Sequence, residues 1–145
     1  MRTVYLLIFL LVGCRPSNQI GELVGFPSHR PLEGTVWVLE ELNGKVINAV
    51  EGQRSLFIFY SKDDKTVRGF GGCNSLTGSF TKAGSTISAK LASTRMFCDG
   101  KMELENDFMK LLGLSNKYEI DENHLFFRNQ GKVVAEFHVE VNTSH

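Results

Sequence analysis

Apolar and polar residues alternate along much of this chain with a period of two, the pattern of β-strands that bury one face. The longest alternating run is at the C-terminal end, and residues 86–92 form another, with Ile87, Ala89 and Leu91 on its apolar face. Residues 35–42 and 56–60 predict two further strands, and the second is apolar on both faces, as in a central strand. In the C-terminal run, the predicted inward residues are Val133, Ala135, Phe137, Val139 and Val141, and the outward ones are Glu136, His138 and Glu140.

One stretch has the period of an α-helix instead. Residues 101–112 place Leu104, Phe108, Leu111 and Leu112 at i, i+4, i+7 and i+8, which predicts a helix with one core-facing stripe. Asp99 is the predicted N-terminal cap, and Gly113 is predicted to end the helix.

These elements predict one α+β domain that is mainly β. A curved antiparallel sheet of about seven or eight short strands, in effect a partly open barrel, would pack on the single helix. The length of 145 residues leaves room for one such domain.

The N-terminal residues predict a lipoprotein leader. An apolar run of nine residues, Val4 to Val12, is far shorter than the roughly 20 residues of a membrane-spanning helix. It ends in Leu11-Val12-Gly13-Cys14, which looks like a lipobox, so residues 1–13 are a predicted lipoprotein signal peptide and Cys14 is the predicted site of lipid attachment. The alternative is an ordinary signal peptide with an incidental cysteine. Residues 14–34 contain all three prolines and predict a flexible, lipidated tether.

Charge and cysteine content narrow the possible partners and chemistry. Sixteen basic residues balance sixteen acidic ones, which argues against a nucleic-acid partner. Cys73 and Cys98 remain once Cys14 is lipidated, and an even pair in an exported protein predicts a disulfide, with two buried free cysteines as the alternative. No metal site or cofactor is expected, because the chain has no CxxC motif and its four histidines are far apart in the sequence (His29, His124, His138 and His145).

The segment around the two cysteines resembles a known family. Gly72-Cys73-Asn74, residues 76–80 and residues 91–98 are similar to the pattern of the META domain, the module of HslJ-type heat-shock-associated bacterial lipoproteins. The resemblance covers about residues 32–141, and the domain itself is assigned to residues 35–141. Phe80 departs from the usual tyrosine, and Phe97 from the usual small residue. The residues that carry the motif are Trp37, Gly72, Cys73, Asn74, Gly78, Thr94, Met96 and Cys98.

No catalytic triad, nucleotide-binding or metal-binding pattern is found in the sequence, so a monomeric, non-enzymatic, lipid-anchored protein of the cell envelope is predicted. The resemblance implies that it supports stress tolerance by binding an unknown envelope protein. Its membrane contact would be the lipid anchor. Bacterial lipoproteins that stay in the inner membrane usually carry Asp after the lipidated cysteine. This chain has Arg15 there, which favours the periplasmic face of the outer membrane. The expected contact region is the loop from Gly69 to Gly78, with Asn74 as a local turn former. A thiol redox enzyme built on Cys73 is a third, weaker possibility. The main alternative is a carrier of a hydrophobic ligand, with a pocket lined by Phe57, Phe59, Phe80, Phe126 and Phe137.

Overall fold

The computed structural model describes residues 30–140, which form one antiparallel sheet and one helix. The helix α1 spans Met102–Leu114 and lies between the sixth and seventh strands in the chain. The strands are β1 (Val36–Leu42), β2 (Lys45–Val46), β3 (Phe57–Tyr60), β4 (Thr66–Phe70), β5 (Ser75–Ala83), β6 (Thr86–Ser93), β7 (Lys117–Asp121), β8 (His124–Asn129) and β9 (Lys132–Val139).

The sheet curves into a ring, as the alternating pattern predicted. Its order is β2-β1-β3-β4-β5-β6-β7-β8-β9, and β1 pairs with β9 as well. β6 and β7 are the most weakly paired neighbours in the described sheet, because Thr86 and Lys117 are the single residue pair that joins them. The predicted architecture is confirmed, but the strand count of seven or eight was too low. The unpredicted β2 is two residues long and follows the Asn43-Gly44 turn, whose residues both have positive φ.

Aromatic side chains fill the interior of the ring. Tyr60 and Phe80 meet edge to face at 4.9 Å between ring centroids, and Phe137 lies 5.8 Å from Phe127 and 6.1 Å from Phe108 of the helix. Burial raises the pKa of Tyr60 well above its ordinary value. Burying each such ring contributes roughly 1.5–3 kcal/mol, so these contacts dominate the stability of the domain.

The pocket predicted from five phenylalanines does not form. Phe80 and Phe137 are core residues, whereas Phe57, Phe59 and Phe126 are half-buried on the other face of the sheet. The reason is the strand period, since Ile58 and Tyr60 occupy the inward positions of β3. On the outer face, the Arg54 guanidinium lies 4.7 Å from the centroid of the Phe57 ring and so partly covers it.

A β-bulge changes the predicted faces of β9. Phe127 pairs with Ala135 and Arg128 pairs with Val133, which leaves Val134 as the extra residue. Val134 is therefore buried and Val133 is exposed, the reverse of the expectation for Val133. Ala135, Phe137 and Val139 face the core as predicted, and Val141 lies outside the described residues.

The helix begins and ends differently from the prediction. Lys101, not Asp99, is the N-cap, and it makes no capping bond with its side chain. Gly113 lies inside the helix, and Ser115 ends it instead, with its hydroxyl donating to the Leu111 carbonyl at 2.8 Å. Of the predicted apolar stripe, Phe108 and Leu112 are buried, and Leu104 and Leu111 are half-buried.

The last residues assigned to the tether belong to the folded domain. Leu32 is buried in the core, and its carbonyl accepts a hydrogen bond from the Trp37 indole N–H at 3.1 Å. Glu33 receives hydrogen bonds from Lys65 and Lys82, which lower the pKa of its carboxyl. The rest of the predicted tether, the signal peptide and Cys14 lie outside the described residues. Within residues 30–140, no helix has the length and apolar character needed to cross a membrane.

Candidate binding site

Asn74 connects three parts of the domain through its side-chain amide. Its Oδ1 accepts hydrogen bonds from the Thr94 hydroxyl and the Met96 N–H, both at 2.7 Å. Its Nδ2 donates to the Met96 carbonyl at 3.0 Å and to Glu105 Oε1 at 2.7 Å. An amide has two donor and two acceptor positions, and all four are used here. Asn74 is therefore a buried long-range connector and not the local turn former that its residue type suggested.

Glu105 completes this network, and sequence reasoning missed its role. Its side chain is buried, and Oε2 accepts the backbone N–H groups of Cys73 at 3.2 Å and Asn74 at 2.6 Å. An acidic residue in the first turns of a helix is ordinarily explained by the helix dipole, which hides such a role. The helical period holds the missing signal, because Glu105, Phe108 and Leu112 are spaced i, i+3 and i+7 and so share one face.

Glycines in and beside the motif let neighbouring side chains and backbone pack closely against the chain. A Cβ on Gly71 would lie 2.7 Å from Cγ of Glu105, and one on Gly78 would overlap the Lys90 carbonyl across β5 and β6. Gly72 has a φ of 106°, which only glycine adopts without strain. The prediction of a loop from Gly69 to Gly78 is wrong, because the strands β4 and β5 take up most of this range. Only residues 71–74 form a loop.

The disulfide between Cys73 and Cys98 is confirmed, with 5.9 Å between the Cα atoms. The Asn74 amide holds Thr94 and Met96, and the disulfide holds the chain two residues further on. Both attachments lie in the same loop, residues 71–74. The segment from Thr94 to Cys98 is thus fixed at both ends although it belongs to no strand or helix.

The middle of this fixed segment is exposed and partly apolar. Arg95 is exposed, Met96 has 58% of its surface exposed, and Phe97 has 82% exposed. We call Arg95, Met96 and Phe97 the display segment. Phe, Met and Arg are residue types that are enriched in protein interfaces.

A groove is lined in part by residues that follow the display segment in the sequence. It has a volume of about 460 Å³ and runs between the β1–β2 hairpin, residues 47–56 and the start of α1. Gly100 and Lys101, just beyond the display segment, line it. Its apolar lining includes the exposed side chains of Val46 and Val50.

A second group of polar side chains lies on the outer face of the sheet. One ligand atom from each of Glu40, His124 and Glu136 falls within 4.8 Å of the other two. His138 lies beside them, with Nδ1 at 3.1 Å from Glu40 Oε1. Sequence reasoning had no signal for this group, because Glu40 and Glu136 are 96 positions apart and only strand pairing brings the three residues together.

Comparisons with known proteins show the family of this fold. The family model of the META domain matches residues 30–141. A protein solved by NMR is 23% identical, with a TM-score of 0.59, over 74% of this chain and 91% of its own. An NMR structure of a protein from Burkholderia xenovorans is 20% identical, with a TM-score of 0.62, over 76% of this chain and 84% of its own. No curated protein sequence matches this chain closely.

Proposed function

Because the chain belongs to the META domain family, we propose that it is a non-enzymatic, lipid-anchored envelope protein that supports stress tolerance by binding a partner protein. The observation that carries the proposal is the display segment, an exposed Met–Phe pair on a backbone fixed by Asn74 and by the disulfide. A residue already held in its bound position loses little conformational freedom on binding, which raises affinity. Phe, Met and Arg, the three residue types of the display segment, are also enriched in protein interfaces.

The contacts of the family motif support a scaffold role over a catalytic one. All four hydrogen-bonding positions of the Asn74 amide are engaged within the domain, and the sulfurs of Cys73 and Cys98 are bonded to each other. The Trp37 ring is fully buried, and its N–H is bonded to Leu32. These side chains therefore serve the fold and leave partner contact to the display segment.

The lipid anchor is the first part of the proposal to test. Replacing Cys14 with serine removes the thiol that would carry diacylglycerol, and two or more acyl chains are what hold a protein stably on a membrane. We expect the Cys14→Ser protein to lose most of its membrane association, measured by fractionation, while mass spectrometry of the wild-type protein shows an acylated N-terminal peptide. Recovery of the variant in the membrane fraction at the wild-type level would contradict the anchor.

The partner contact is tested by Phe97→Ser. The change removes an exposed ring, so its effect on stability is expected to stay within about 0.5 kcal/mol. Loss of an anchor side chain at an interface typically costs about 2 kcal/mol or more of binding free energy. We expect the variant to remain folded and membrane-bound but to fail to restore growth under envelope stress in a strain that lacks the gene.

A matched control comes from the groove. Val50 is also exposed, at 55%, and lines the groove instead of the display segment, so Val50→Ser should restore growth fully. The apolar groove supports a second candidate function, the binding of a small hydrophobic ligand. That function predicts the reverse pattern, in which Val50→Ser fails and Phe97→Ser succeeds.

A further inference from the structure

We propose that Glu40, His124 and Glu136 bind a divalent transition-metal ion, with Zn²⁺ as the probe of choice, on the outer face of β1, β8 and β9. The proposal is independent of the display segment and of the partner-binding function. It rests on side chains that three neighbouring strands bring together and on a buried ring nitrogen that has no hydrogen-bond partner among residues 30–140.

Strand pairing places the histidines and carboxylates in one patch. His124 of β8 stands directly opposite His138 of β9, and Glu136 lies two positions from His138 on the same strand. Successive side chains of a strand point to opposite faces, so Glu136 and His138 share a face. The register shift of β1 against β9 between Leu39 and Glu41 inserts Glu40 as an extra residue beside them.

The donor set suits a first-row divalent ion. Imidazole nitrogen and carboxylate oxygen are both ligands of Zn²⁺, at about 2.0–2.2 Å from the metal. In a tetrahedral site of that size, neighbouring ligand atoms stand roughly 3.3 Å apart. Nε2 of His124 already lies 3.7 Å from Oε2 of Glu40, and the Glu136 carboxylate falls within 4.8 Å of both. Small rotations of three partly exposed side chains would close the site.

The charges at this position also favour a cation. Glu136 stands directly opposite Glu41 in the pairing of β1 with β9, and like charges in that arrangement repel. Within residues 30–140, the Glu136 carboxylate has no ion-pair partner among the lysines and arginines. A bound divalent cation would neutralise the carboxylates that β1 and β9 bring together.

His138 acts as a positioning residue for Glu40. Its Nδ1 is buried and lies 3.1 Å from Glu40 Oε1, yet within the described residues this nitrogen has no hydrogen-bond partner. A small turn of the Glu40 carboxylate onto a metal would allow Nδ1–H to donate to it. Hydrogen bonds of this kind orient metal ligands and typically affect metal affinity 10- to 100-fold.

The test is a titration of the detergent-solubilised full-length protein with Zn²⁺, followed by calorimetry, together with the visible spectrum of the Co²⁺ complex. We expect one ion per chain, a higher melting temperature when metal is present, and Co²⁺ absorption bands typical of low coordination number. His124→Ala and Glu136→Gln should each weaken Zn²⁺ at least tenfold. His138→Leu should weaken it while keeping one ion per chain. Glu103→Gln, a change to an exposed carboxylate on the helix, is the matched control and should leave the affinity unchanged.

Two results would contradict the metal site. Absence of saturable binding would overturn the site. Binding with unchanged affinity in both His124→Ala and Glu136→Gln would assign the ion to other residues, such as His29 or His145, and would overturn it too. Melting curves of the metal-free variants show that they are folded, and Glu40→Gln supplies an independent variant should either of the first two be unstable.

Discussion

Replacing Glu105 with alanine is expected to lower the free energy of unfolding by about 3–5 kcal/mol, the largest single-residue effect outside the aromatic core. The buried carboxylate accepts three N–H groups, from the backbone of Cys73 and from the backbone and side chain of Asn74. Alanine leaves these donors buried without a partner, and each unsatisfied donor costs about 1–3 kcal/mol. The measurement is denaturation in urea of the wild-type and variant proteins.

Two further variants make the Glu105 test specific. Glu103→Ala, two positions earlier on the same helix and exposed, should change the stability by no more than about 0.5 kcal/mol. Glu105→Gln keeps one acceptor oxygen and should fall between alanine and wild type. If Glu105→Ala costs less than about 1 kcal/mol, the carboxylate does not hold the loop and the network is not what fixes the display segment.

Loss of the disulfide is the second large effect. A cross-link that closes a loop of 25 residues limits the unfolded chain, and in the chain-entropy model this contributes about 3.5 kcal/mol of stability. Cys98→Ala should therefore lower the unfolding free energy by about that amount, with the midpoint of urea denaturation as the readout. Cys73→Ala should have a comparable effect, and the double variant little more than either single one.

Reduction provides the control for this prediction. Dithiothreitol should destabilise the wild-type protein to the level of the double variant and leave the double variant unchanged. Equal stability of oxidised and reduced wild-type protein would show that the bond contributes nothing, and the display segment would then depend on the Asn74 contacts alone.

Much of the fold could be predicted from periodicity, because a strand with one buried face alternates apolar and polar residues. The runs that became β3, β6 and β9 were found in this way, as was the helix. What periodicity could not show was where strands change register. Val133 was assigned inward because the count of two was carried through the bulge at Val134, which only the pairing with β8 reveals.

The candidate site was only partly visible in the sequence. The cysteine pair was found because the chain was predicted to be exported, and an even number of cysteines in an exported protein favours a disulfide. Glu105 was missed because a glutamate in the first turn of a helix normally faces solvent and stabilises the dipole. Its true environment depends on a loop 31 and 32 residues away, and a Cβ on Gly71 would collide with it. Glu40 and His124 were missed for the same kind of reason, since strand order and not sequence distance makes them neighbours.

Phe97 differs from these residues because its side chain is exposed to solvent. Phe97 is 82% exposed, so the packing of the core does not depend on its ring. Phe97 and its neighbour Met96 together expose apolar surface, and we propose that contact with another molecule covers it.

The central claim, that the display segment is the partner contact, is tested most directly by site-specific photo-crosslinking in cells. A photoreactive phenylalanine analogue is placed at position 97 and, in a separate strain, at position 50 in the groove. We expect one discrete crosslinked protein from position 97 under envelope stress, absent from position 50 and lost when Glu105→Ala releases the segment. A crosslink from position 50 alone, or no protein crosslink from position 97 in a folded, membrane-bound chain, would contradict it.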